Sequence, residues 1–213
     1  CLSSQLEKAD LCLQGVIDPR NPPMDDKMVE WLFKNPLSDG GQFTGVSDII
    51  GKYGLVPREV MNETYSANNT ARIAFLIKLK LREYGLQLRE LPAKTKASVI
   101  EAKKAEMLTT VYRMLALAFG EPPTEFTWTR KDAKGNPVET KTYTPKSCYD
   151  EYIGDDLTGD YVMLMNDPSR PYYKLYEIDY DRHMYDGYNW TYINLPVEDI
   201  KAMAIASIKD STA

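Results

Sequence analysis

The stretch from Met107 to Lys131, MLTTVYRMLALAFGEPPTEFTWTRK, decides the class of fold. Up to Phe119 its apolar residues recur every three or four positions, so Met107, Val111, Met114, Leu115 and Ala118 share one helical face. Gly120 and Pro122-Pro123 end that pattern. Beyond them Phe126 and Trp128 alternate with threonines, which is the two-residue period of a strand half exposed to water. Helices precede this switch and mainly strands follow it, so the expected class is α+β.

Upstream, Thr70 to Leu91 and Lys96 to Phe119 read as two long amphipathic helices parted by Pro92, an antiparallel hairpin. The first stripe is Ile73, Leu76, Ile77, Tyr84 and Leu88; the second adds Val99 and Ala102 to the residues above. Nearer the start, Leu2, Leu6, Ala9 and Leu13 predict a helix over residues 1–16 with Ser3 or Ser4 as N-cap. Asp18-Pro19 and Pro22-Pro23 stop it. A second helix spans about Asp26 to Lys34 and ends at Asn35-Pro36. Ser38-Asp39-Gly40-Gly41 then predicts a tight turn that launches a helix striped by Phe43, Val46, Ile49, Ile50 and Tyr53 and closed by Gly54.

Downstream, the Gly135-Asn136-Pro137 turn returns Val138 to Thr144 as the second strand of a hairpin. Thr144-Pro145 opens a short helix to about Ile153. Strands are predicted at Tyr161 to Met165, Tyr173 to Tyr180 and Asn189 to Asn194. A last helix starts at Leu195-Pro196, with Val197, Ile200, Met203, Ala204 and Ile208 facing inward.

Composition narrows the chemistry. Of 213 residues only His183 is a histidine, which excludes any site that needs two. Cys1, Cys12 and Cys148 have neither CxxC spacing nor an even count, so reduced thiols in a cytoplasmic protein are expected. No apolar run approaches a membrane span. Net charge is −5, yet Ala71 to Arg113 holds ten basic residues against four acidic, making the helical hairpin a basic appendage on an acidic body.

Each chemical motif has a plain counterpart. Gly40-Gly41 before a helix lets a ligand approach the backbone closely, but no phosphate-loop spacing follows. Cys1 opens a helix rather than the strand an N-terminal nucleophile needs. Cys148 and His183 lack any local device that poises them, so a core thiol and a surface imidazole are expected. Asp155, Asp156 and Asp160 miss calcium-loop spacing and read as a solvated loop. The tyrosines between Tyr161 and Tyr192 suit cross-strand packing. The basic hairpin is read as a solvated face, with nucleic acid as a secondary possibility there. No metal and no cofactor is expected.

Several ordered strings resemble one family, the aminopeptidase C and bleomycin hydrolase group of papain-like cysteine peptidases. They are Leu6-Glu7-Lys8-Ala9, KNPLSDGGQF over residues 34–43, KYGLVP over 52–57, Glu63-Thr64-Tyr65-Ser66, LKLREYGLQLREL over 79–91, PPTEFTW over 122–128, Asn166-Asp167-Pro168, Lys174-Leu175-Tyr176 and ASIKD over 206–210. The resemblance implies the helical part of a papain-like peptidase over 1–66, a helical-hairpin and β-hairpin insertion over 67–144, and a mixed segment over 145–213. The family's Gly-x-Cys-Trp, His-Ala-Met and Glu-Asn-Ser-Trp-Gly segments have no counterpart here, so no catalytic residue is assigned. The chain is expected to be the interior of such an enzyme and inactive alone. Gly40, Gly41, Gln42 and Phe43 are implied to bind substrate, with Gly41 pairing strand-like with a peptide and Gln42 and Phe43 bordering the pocket for its second side chain. The insertion implies homo-oligomer contacts. The alternative is a non-catalytic binding or assembly module built on the basic hairpin or the tyrosine-rich sheet.

Overall fold

In the computed structural model the residues described are 2–17, 23–38, 40–179 and 181–210. Helices α1 (Leu2–Ile17), α2 (Lys27–Lys34), α3 (Phe43–Tyr53), the short α4 (Tyr65–Asn68), α5 (Ala71–Arg89) and α6 (Ala97–Phe119) come first. Strands β1 (Phe126–Lys131) and β2 (Pro137–Tyr143) follow, then α7 (Pro145–Tyr152), β3 (Met163–Met165), β4 (Lys174–Ile178), β5 (Trp190–Asn194) and α8 (Val197–Lys209). The α+β order is as read from the period switch after Phe119. Cys1, Asp18-Pro19, Pro22 and Asp39 lie outside the described residues.

The main core lies where α5 and α6 pack against each other and against α1. Leu13, Ile77, Leu81, Val111 and Leu115 are at most 1% exposed there. The inward face of α6 is rotated from the predicted stripe: Ile100 and Lys104 are buried, whereas Val99 and Ala102 are exposed. Lys104 explains the turn, because its ammonium pairs with Asp10 (3.2 Å) and donates to Gln14 Oε1 (2.7 Å), both on α1. A buried cation needs such partners, and meeting them sets the helix rotation. On α5, Leu81 is buried and Leu76 faces out.

Local chemistry fixes the ends. Asp26 caps α2 by accepting from the Met28 and Val29 amides, and Thr144 with Ser147 forms a capping box at α7. Neither Ser3 nor Ser4 caps α1, which already begins at Leu2. Strands β1 and β2 pair antiparallel from Phe126↔Tyr143 to Lys131↔Pro137. The second sheet has order β3-β5-β4, with β3 parallel and β4 antiparallel to β5, and Tyr176 faces Tyr192 across it. At the end of β5, Asn194 is fully buried. Its amide donates to the Asp167, Arg170 and Pro171 carbonyls and its Oδ1 accepts from Asp167 N, which shapes the 167–171 loop.

Helix α8 departs from expectation, having no buried residue: Val197, Met203 and Ile208 are 46%, 52% and 69% exposed. Core and surface should separate cleanly within α6. Leu115→Ala is expected to cost about 2–5 kcal/mol in denaturant unfolding, while Leu117→Ala, two residues on and 90% exposed, should change stability by less than about 0.5 kcal/mol.

Candidate functional site: the Gly40–Phe43 edge

Helix α3 carries its apolar stripe outward. Its buried residues are Gly45, Ser47 and Asp48, whereas Val46 is 48% exposed and Phe43 and Tyr53 are each more than a third exposed. The reason is what covers the other side. The connection between β4 and β5 leaves the sheet and lies along the row formed by Gly41, Gly45, Asp48 and Lys52. The His183 ring rests on the two glycines. A Cβ on Gly41 would stand 2.6 Å from His183 Nε2, and one on Gly45 would stand 2.6 Å from Cγ, closer than real side chains approach. One turn on, Tyr188 N donates to Asp48 Oδ2 (2.9 Å), and Asp186 pairs with Lys52 (3.6 Å).

Helix α1 holds the same segment from another side. Lys8 Nζ donates to the carbonyls of Ser38 (2.8 Å) and Gly40 (2.6 Å). The adjacent Glu7 accepts from Tyr53 Oη and pairs with Lys52 (2.8 Å). Both residues are 7% exposed. Two neighbouring charges on α1 therefore grip the loop before α3 and the last turn of α3.

These contacts bias the titratable groups. Burial pushes the Tyr53 hydroxyl above its ordinary range, and the Glu7 carboxylate adds to that. Burial alone would lower Lys52, but Glu7 and Asp186 hold it above its usual value. Burial raises Asp48 against the pull of the Tyr188 amide. Burial also drives His183 down to about 4, with the Lys8 charge adding to the drop while the Gly40 and Gly45 carbonyls pull partly back. Neither ring nitrogen closes a well-directed hydrogen bond. At neutral pH the ring is an uncharged wedge.

The surface imidazole read from the sequence is thus a buried one, 5% exposed. Two glycines four residues apart leave a groove on α3 that the flat ring fills, and this spacing was the available signal. Cys148 is a core thiol as expected, packed with Phe126 and Tyr143 and raised by burial. Cys12 packs with Val16 and Leu32, its thiol pushed up to about 12. Neither joins the His183 contacts, and neither is a thiolate at neutral pH. Asp155, Asp156 and Asp160 are exposed, and the Asp156 carboxylate accepts from Thr158 and Gly159 of its own loop. The described residues place no three His, Cys, Asp or Glu to hold a metal ion.

Along the top of this assembly Gly40, Gly41, Gln42 and Phe43 form an exposed edge. Gln42 is extended (φ −118°, ψ 171°). Among the described residues no backbone hydrogen bond is made to the Gly41 N–H or C=O. The tight turn read at Ser38 to Gly41 includes Asp39 and lies partly outside the described residues; on either side of it Lys8 binds the Ser38 and Gly40 carbonyls. A Cβ on Gly40 would meet nothing within 4 Å. Two hollows flank the edge. One of about 650 Å³ is lined by Gly40, Gly41, Val46, Ile50, Tyr53 and His183 among others. The other, about 190 Å³, is lined by Phe43, Thr44, Tyr161 and Met163 among others. Phe43 and Tyr161 are in ring contact, with centroids 5.5 Å apart.

The two glycines should respond differently to a methyl group. Gly41→Ala drives a Cβ into the His183 ring and is expected to lower stability by about 1–3 kcal/mol, whereas Gly40→Ala should leave folding nearly unchanged. The histidine predicts a pH dependence. Its pKa is lower folded than unfolded, so below about pH 6.5 the unfolded state takes up the proton first and stability falls. That fall ends near pH 4 and amounts to at most about 3 kcal/mol. His183→Leu should flatten the wild-type profile over that window, as read by urea unfolding at a series of pH values.

Comparison with known proteins places the chain in a family. Residues 3–213 match the Peptidase C1-like family. Aminopeptidase C of Lactobacillus delbrueckii subsp. lactis is 34% identical over 208 residues, covering 96% of this chain and 46% of the relative. Bleomycin hydrolase of Homo sapiens is 33% identical, covering 98% of this chain and 47% of the relative. The crystal structure of PepW from Lactobacillus rhamnosis HN001 superposes with a TM-score of 0.93 at 34% identity, over 98% of this chain and 47% of that one. The chain therefore spans about half the length of the relatives it matches. A family match over nearly every residue, joined to that superposition, shows that the chain belongs to the Peptidase C1-like family.

Proposed function

We propose that residues 1–213 form the substrate-edge half of a cysteine aminopeptidase like aminopeptidase C and bleomycin hydrolase. Gly40 to Phe43 lie along a peptide, and the nucleophile, base and orienting asparagine come from polypeptide outside these residues. The observation that carries this reading is Gly41. Its N–H and C=O make no backbone hydrogen bond among the described residues, it is exposed beside the extended Gln42, and it lines the larger hollow while Phe43 lines the smaller one. An extended peptide can add to such an edge as a strand. Phe43 then borders the smaller hollow, which suits the peptide's second side chain.

Two further observations support the reading. The apolar face of α3 opens into the larger hollow instead of a core, a face that an isolated domain has no reason to expose. The chain also covers only 46–47% of its relatives, which leaves room for the segment that fills it. The division into residues 1–66, 67–144 and 145–213 belongs to the same proposal, as does a cytoplasmic setting. No described helix is long and apolar enough to cross a membrane.

An assembly role for the α5–α6 hairpin is favoured by Phe75, Leu76, Leu79 and Leu86, which are 44–58% exposed on α5. We assign this surface to contacts between copies of the complete enzyme.

The chain alone is expected to show no turnover of aminoacyl-coumarin amides. Thiol-dependent turnover that vanished in Cys148→Ser or His183→Gln would sink the proposal. Light scattering after size exclusion should show association weakened by Phe75→Ser with Leu79→Ser. A steep loss of oligonucleotide binding with salt would instead assign the hairpin to phosphates.

A further inference from the structure

Among the described residues, the buried Lys8 and His183 side chains touch the Gly40–Gly41 segment, and neither belongs to the edge itself. Lys8 lies on α1, 30 and 32 residues from its acceptors Ser38 and Gly40. His183 comes from the β4–β5 connection. We propose that the two are positioning residues: Lys8 orients the peptide plane between Gly40 and Gly41 by binding the Gly40 carbonyl, and His183 supports Gly41 from beneath. The inference rests on the reading that this edge binds peptide.

The geometry gives each residue a distinct job. A carbonyl that accepts from a buried ammonium at 2.6 Å cannot rotate outward without stranding the donor in a nearly water-free place. With the Gly40 carbonyl fixed toward α1, the N–H of Gly41 in the same peptide unit is fixed to the opposite side, because the unit is planar and trans. Lys8 thereby decides where the Gly41 donor points. His183 acts by shape. Its ring fills the space that a Cβ of Gly41 or Gly45 would occupy, so the edge cannot sink toward α3. The Lys8 head group and the ring approach the glycine pair from different elements, and the segment is held at two points with Gly41 between them.

The chemistry of the two supports separates under substitution. Lys8→Met keeps the length of the stem and removes the donors. It is expected to lower the backbone order parameters of Gly41 and Gln42 from about 0.85 to below about 0.6, with those in α5 and α6 unchanged. Lys8→Arg, which restores a donor, should recover most of the order. His183→Leu retains the bulk and should leave the Gly41 order parameter close to wild type, whereas His183→Ala should lower it toward about 0.6. Nuclear magnetic resonance on the 213-residue chain reads all four variants residue by residue.

An equal loss of order throughout the chain in Lys8→Met would reduce Lys8 to a general stabiliser and overturn the proposal. So would unchanged order parameters at Gly41 and Gln42, or His183→Leu behaving like His183→Ala. A separate arm tests the underlying reading: an extended pentapeptide with an apolar second residue is titrated into the wild-type chain. Shifts centred on Gly41 and Gln42 support the peptide edge. Their absence defeats that reading, while the relaxation data still report on Lys8 and His183 independently. Where both hold, Lys8→Met should weaken the pentapeptide by about tenfold.

Discussion

The contact of the His183 ring with Gly41 and Gly45 governs where α3 can lie. A ring that close to two Cα atoms needs glycine at both positions, and once it is in place the helix has one orientation available. Gly45 and Asp48 turn inward, Val46 and Ile50 turn toward the hollow, and the approach to the helix is laid out as an exposed extended edge. The rest of the β4–β5 connection follows the same path. Tyr188 reaches Asp48 and Asp186 reaches Lys52 because the histidine has already set the strap over the helix. The edge is a consequence of packing on its far side.

Such an arrangement is expensive in electrostatic terms. Glu7 and Lys8 are adjacent, charged and nearly fully buried, and removing charges from water costs several kcal/mol each unless partners replace the lost hydration. Their partners are hydroxyl, ammonium and backbone carbonyl groups of the α3 region. Apolar residues at these positions would hold α1 against α3 at least as well. They would not fix the direction of a single carbonyl. The buried charges therefore trade stability for the orientation of the Gly40 carbonyl, which the proposed peptide edge requires.

Periodicity made the fold legible wherever one face of an element met one core. The switch at Phe119, the α5–α6 hairpin and the β1–β2 ribbon follow from it directly. It failed where a polar pair decided the rotation, as in α6, whose inward face turned to let Lys104 reach Asp10 and Gln14. It also failed for α8, since an apolar stripe marks a face that is covered somewhere but does not say by which polypeptide. The edge residues Gly40 to Phe43 were visible through the resemblance, yet the reason for Gly41 was not. Its close neighbour is the ring beneath it, 142 positions away in sequence, whereas a Cβ on Gly40 would meet nothing within 4 Å. Lys8 lay within a recognised string, but nothing in a helix period distinguishes a solvated lysine from one that binds a carbonyl.

Helix α3 carries the argument one step further. A helix whose Gly45 and Asp48 are buried and whose isoleucines and valine line a hollow has its amphipathicity set for two different partners. The polar side is matched to the strap, and the match is already made within this chain. The apolar side is matched to something that fills about 650 Å³ and meets Val46, Ile50 and Tyr53. Filling it would place new side chains directly beside Gly40 and Gly41, which line the same hollow. Whatever occupies the hollow is thus brought against the Gly40–Gly41 edge by the same helix that presents the edge. Under the proposed function that is where attacking chemistry has to arrive, because strand-like pairing at Gly41 would fix a substrate backbone only relative to α3. The proposal therefore couples packing on one face of this helix to recognition at its N-terminal end through a single rigid element.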